Sequence, residues 1–86
     1  MLKIQRLANG EVVFTVSGRM DTEQTAVLKD LFRDEPEGRK IVLDLKDLTL
    51  VDRDAVRFLD RCESDSIELR NSPAYIREWI ERERNS

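Results

Sequence analysis

Histidine is missing from all 86 residues. Its absence removes the side chain that most often acts as general base, zinc ligand or activator of a nucleophile, so most hydrolase mechanisms have no seat here. Cysteine occurs once, as Cys62, which rules out an internal disulfide; its apolar helical spacing suits a small buried hydrophobe better than a reactive thiol. The three glycines, Gly10, Gly18 and Gly38, are too scattered to build a glycine-rich phosphate cradle. No apolar run approaches the roughly 20 residues of a membrane span, and the opening MLKIQRLANGEVV carries charge from its third residue, unlike a signal peptide. The 15 basic and 18 acidic residues are interspersed, so the net charge of −3 comes with no basic field to hold a phosphate backbone. The expectation is one cytoplasmic domain over residues 1–86 with a single modest core and neither nucleic acid nor membrane as partner.

What is present reads as alternating strands and helices. Leu2 to Leu7 alternates weakly and keeps Lys3, Gln5 and Arg6 outside, as an edge strand should. Asn9-Gly10 is a hairpin signal, because both residues tolerate positive φ, and it leads into a second strand, Glu11 to Ser17, paired antiparallel to the first. Asp21 followed by Gln24 matches a helix N-cap with its N3 partner, and Ala26, Val27, Leu28, Leu31 and Phe32 form the apolar stripe of helix one. Pro36 and Gly38 end that helix. Ile41 to Leu45 is apolar on both alternating faces, as in a central strand covered on both sides, and the resulting βαβ unit makes it parallel to strand two.

A loop is expected from Lys46 to Leu50, and then helix two. Asp52 stands at its N-cap, ready to accept from the amide of Ala55, with Val51 and Val56 at the staple positions and Asp54 in the first turn, where the helix dipole favours a carboxylate. Ala55, Val56, Leu59 and Cys62 face inward with Phe58 at the boundary, while Arg53, Arg57, Asp60 and Arg61 face out. Ser66 to Arg70 is a short fourth strand. Ser72-Pro73 opens helix three as N-cap and first-turn proline, and Tyr75, Ile76, Trp79 and Ile80 mark its apolar face. The fold class is therefore α/β: a small four-stranded mixed sheet with three helices, a β-hairpin preceding a βαβ core, and helices one and two sharing a face.

Four carboxylates, Asp44, Asp47, Asp52 and Asp54, lie near the carboxyl end of strand three, where open α/β sheets place their sites. Two readings follow. Asp44, Asp52 and Asp54 could bind Mg²⁺ or accept a phosphoryl group, as in a minimal receiver-like domain. Alternatively Asp52 caps, Asp54 answers the dipole, Asp47 lies on the loop surface and Asp44 meets solvent or an amide.

Val16-Ser17-Gly18-Arg19-Met20-Asp21, taken with Ile41 to Leu45, Leu48 and Leu50 to Val56, resembles the STAS domain of bacterial anti-sigma factor antagonists over roughly residues 11 to 62. Members of that family carry a Gly-x-x-Asp run before the first helix, matched by Gly18 and Asp21. Before the second helix they carry a strand aspartate, a loop aspartate, two serines and a glycine, onto which Asp44, Asp52, Arg53, Asp54 and Ala55 fall. The second serine is the regulatory phosphoacceptor. Here Asp54 holds that place, so serine phosphorylation cannot switch it, and a carboxylate imitates phosphoserine only in part. The resemblance implies a STAS-like, non-enzymatic regulatory module with no catalytic residue, metal or cofactor. It implies a protein partner such as an anti-sigma factor with a kinase-like fold, a partner surface at Asp21, Asp52, Arg53, Asp54, Ala55 and Arg57, and a monomer or weak homodimer.

Overall fold

Every helix lies on one side of a single sheet, and that asymmetry decides where the site falls. The computed structural model describes residues 2–36 and 38–85. The order is β1 (Leu2–Asn9), β2 (Glu11–Met20), α1 (Thr22–Arg33), β3 (Ile41–Val51), α2 (Arg53–Ser64), β4 (Glu68–Arg70) and α3 (Ala74–Arg84). The strands run side by side in the order β1-β2-β3-β4, with β1 antiparallel to β2 and both β2–β3 and β3–β4 parallel. The chain is thus an α/β fold with a four-stranded mixed sheet and three helices. No helix among the described residues is long and apolar enough to cross a membrane.

Alternation sets the faces. Val12, Phe14 and Val16 of β2 and Leu43 and Leu45 of β3 point to the helical side, where they join Leu28 of α1, Leu59 of α2 and Ile76 and Ile80 of α3 in one buried core. On the other side Val42 is fully buried yet outside that core. Its cover is a chain of charges on the same face: Lys40 donates to Glu68 at 3.1 Å, and Arg70 donates to Glu68 at 2.9 Å and to Glu11 at 3.2 Å. The apolar second face of β3 therefore reflects ion-paired side chains closing over a valine, not a second layer of helices.

The segment expected as a loop, Lys46 to Leu50, is strand. The inward residues run Leu45, Leu48 and Val51, a spacing of three that hides the usual alternation. The register against β2 shifts twice, between Thr15 and Ser17 and between Gly18 and Arg19, and each bulge adds one residue per inward position. Gly18, at φ +94, serves the second shift, and Thr49 Oγ1 donates to the Gly18 carbonyl at 2.9 Å across it. At the hairpin Asn9 pairs with Glu11, so Gly10 alone forms the tip with positive φ.

Three helix assignments also change. On α1 the inward positions are Thr25 and Leu28, while Val27 is half exposed and Ala26 lies on the surface. A threonine can occupy that core site because its hydroxyl is satisfied locally, donating to the Thr22 carbonyl at 2.7 Å. Phe58, expected at the boundary, is buried, stacking on Phe32 with centroids 6.1 Å apart. Ser72 does not cap α3: Pro73 is the N-cap, no side chain bonds there, and Ser72 Oγ is buried without a partner. The short fourth strand begins at Glu68 because Ser66, at φ 69, closes α2. Its amide bonds the Glu63 carbonyl at 3.2 Å, and the Ile67 amide bonds the Cys62 carbonyl at 2.9 Å.

Candidate functional site

Parallel pairing brings two helix starts together. Met20 sits opposite Val51 in the register, so the next residues, Asp21 and Asp52, cap α1 and α2 side by side at the carboxyl end of the sheet. Asp21 Oδ1 accepts from the amides of Glu23 and Gln24 at 3.1 and 3.5 Å. Asp52 Oδ1 accepts from the amide of Ala55 at 2.8 Å, as the capping pattern requires. Both carboxylates are thereby spent on their own helices.

Asp54 is different. It is exposed, and its Oδ2 accepts from Thr22 Oγ1 at 2.9 Å, a bridge between the first turns of the two helices. Behind that bridge lies a cleft of about 230 Å³. Thr22, Thr25 and Lys29 line it from α1, and Asp54, Arg57, Phe58 and Arg61 from α2. Lys29 Nζ stands 5.8 Å from the centroid of the Phe58 ring, a cation held over an aromatic face. One carboxylate, Asp54, and three exposed cations, Lys29, Arg57 and Arg61, line the cleft.

The remaining residues expected at a partner surface divide. Arg53 turns to the other flank of α2, donating to Glu83 of α3 at 2.9 Å, and Arg57 Nε lies 3.9 Å from the same carboxylate. Ala55 is fully buried in the core, although the resemblance puts it on the partner surface. Asp54 and Arg57 thus share the cleft, Asp21 and Asp52 frame it from their caps, and Ala55 lies beneath. Thr22, Lys29 and Arg61 complete it, although sequence reasoning assigned them no site role. Their signal was the i, i+3, i+7 spacing of residues 22, 25 and 29 facing the matching spacing of residues 54, 57 and 61.

The four aspartates do not converge. Asp44 follows the alternation of β3 to the face away from the helices, where its Oδ1 accepts from the Lys46 amide at 3.1 Å and from Asn71 Nδ2 at 3.3 Å. Asp47 is exposed on β3 opposite Ser17. Among the described residues no group of three or more acidic or cysteine side chains is placed to hold a metal ion. Cys62 is buried, and burial, with Asp65 next in weight, pushes its thiol up to about 12, which leaves it without nucleophilic thiolate at neutral pH. A larger, open hollow of about 420 Å³ lies at the amino end of β3, between Gly38 to Ile41 and Asp65 to Ile67, and holds none of the expected site residues.

No family model matches the chain, and no curated protein matches it.

Proposed function

We propose that the chain is a cytoplasmic, non-enzymatic regulatory module that binds a protein through the paired starts of α1 and α2, in the manner of the anti-sigma factor antagonists it resembles. The observation that carries this reading is Asp54: an exposed carboxylate in the first turn of α2, bridged to Thr22 of α1, at the position that a phosphoacceptor serine takes in that family. The acids beside it are committed to capping, and the one thiol is buried. Such a surface suits recognition. In this reading the switch is held in one charge state, because Asp54 carries a permanent charge of about one where phosphoserine adds 1.5 to 2. The partner is a kinase-like anti-sigma factor, and the module works as a monomer or weak homodimer.

The test is a pull-down of purified kinase-like anti-sigma factors with the wild-type chain beside Asp54→Ser. Restoring the hydroxyl is expected to raise binding and to allow phosphate transfer to residue 54 in the presence of ATP. If Asp54→Ser gains neither, the inherited-switch reading fails. Calorimetric titration with Mg²⁺ tests the receiver-like alternative; saturable binding lost in Asp54→Ala would favour it instead.

A further inference from the structure

The cleft between α1 and α2 carries a charge pattern that points to the chemistry of its occupant. Asp54 and Arg61 are seven residues apart, about 10 Å along the helix axis, so the cleft is negative at one end and positive toward the other. The negative end is already engaged by the Thr22 hydroxyl. At the positive end Lys29 Nζ rests over the Phe58 ring rather than on a carboxylate. Several guanidinium groups elsewhere find carboxylates: Arg53 on Glu83, Arg70 on Glu68 and Glu11, Arg77 on Glu63, Arg84 on Asp60 and Glu63. Among the described residues Lys29 and Arg61 have no carboxylate within ion-pair distance, and Arg57 has only the 3.9 Å approach to Glu83.

Size and floor narrow the occupant further. A volume of about 230 Å³ falls below the 300 to 1,000 Å³ of sites that enclose a small molecule, so the cleft admits one or two side chains of something larger. Its floor is Phe58, only 7% exposed, whose ring is covered by Phe32 and by the Lys29 ammonium and lowers the dielectric beside the cations. A short carboxylate side chain, aspartate or glutamate, matches that size and that charge.

We propose that this cleft receives acidic side chains, aspartate or glutamate on a segment of the partner protein, with their carboxylates at Lys29, Arg57 and Arg61. This rests on the reading of the chain as a protein-binding module and states what the partner presents. Steering by such a patch makes association depend on ionic strength.

The probe is hexaglutamate, titrated into the isotopically labelled full chain while backbone amide shifts are followed, with hexalysine and inorganic phosphate as parallel arms. Saturable shifts confined to residues 22–29 and 54–61 are expected. They should weaken with added salt and weaken roughly fivefold or more in Lys29→Glu and in Arg61→Glu, with Arg61→Gln intermediate. All three substitutions are at exposed positions, and circular dichroism confirms that each variant is folded. Shifts scattered over Arg19, Arg39 and Lys46, or unchanged in Arg61→Glu, overturn the proposal. So does phosphate saturating the same amides at lower concentration than the peptide, which would make the cleft a seat for a free anion. The anti-sigma pull-down separates the two readings. Capture that survives Lys29→Glu with Arg61→Glu but is altered in Asp54→Ser overturns the acidic-segment proposal and leaves the module standing. Cleft-confined hexaglutamate binding with no anti-sigma factor captured supports the proposal and removes that partner.

Discussion

Helix α2 has two flanks built from the same residue types and used in opposite ways. Toward α3 its charges are closed: Arg77 grips Glu63 through two bonds of 2.7 and 3.0 Å, and Arg84 reaches Asp60 at 2.6 Å and Glu63 at 2.7 Å. Toward α1 they are open, with Lys29 over a ring and Arg61 unpaired among the described residues. Surface ion pairs contribute only about 0.2 to 1 kcal/mol each, so the closed flank owes its stability to the burial of Ile76 and Ile80 and its orientation to the guanidinium forks. Charges that are neutralised internally hold a helix in place, whereas charges left convergent and unpaired are available to another molecule.

The sharpest way to break the closed flank is Ile80→Ala. Removing a fully buried isoleucine should cost about 2 to 5 kcal/mol in urea unfolding, a large share of the stability of a small domain. Cys62 reports the same opening from inside, since alkylation at pH 8 should proceed only through unfolding and should accelerate in step with that loss. Asp52→Ala removes the cap at the root of both flanks and should cost about 1 kcal/mol, again by urea titration, with Ala55 left without its acceptor.

Smaller effects sharpen the contrast. The Arg77 guanidinium, with Arg84 beside it, holds the Glu63 carboxyl below the usual carboxylate range. A depressed folded value stabilises the protein above the unfolded carboxylate pKa of about 4.3, and that contribution is lost as the pH falls through the folded value. Glu63→Gln should cost at most about 1 kcal/mol at pH 7 and should remove this part of the acid dependence, measured as midpoint against pH. On the open flank, Lys29→Glu with Arg61→Glu should cost no more than about 1 kcal/mol by the same titration, because the Lys29 contact with the Phe58 ring is lost but no ion pair among the described residues is. A large destabilisation there would mean that the two flanks are alike.

Much of this was legible along the chain. Asp52 and Asp21 announced the two helix starts, and the βαβ order made β2 and β3 parallel, as they are. The site was legible only in part. Asp54 and Arg57 could be placed on the exposed start of α2, but Ala55 could not be assigned to the core face on the strength of its spacing and to a partner surface as well, and the fold gives it to the core. Two bulges turned the inward period of β3 from two to three residues and disguised a strand as a loop. Thr25 was passed over because a hydroxyl reads as polar until its local bond is known. Ser72 has the type and the neighbour, Pro73, of a helix cap, and only the tertiary structure shows that its hydroxyl is buried without a partner.

The order of residues alone determined the sequence of elements, the caps of α1 and α2, the parallel pairing of β2 and β3, and the lack of histidine and glycine-rich loops that removes the commonest catalytic groups, because these depend on near neighbours and on residue type. Only the tertiary structure decided that α1 and α2 turn their 22-25-29 and 54-57-61 stripes toward each other, that Asp44 lies on the far face of the sheet, and which cations find carboxylates. The physical reason is distance. A charge is neutralised by whatever side chain the fold brings within a few ångströms, and Arg84 meets Asp60 from 24 positions away while Arg61, on the same helix as Asp60, lines a cleft where it finds no carboxylate partner among the described residues.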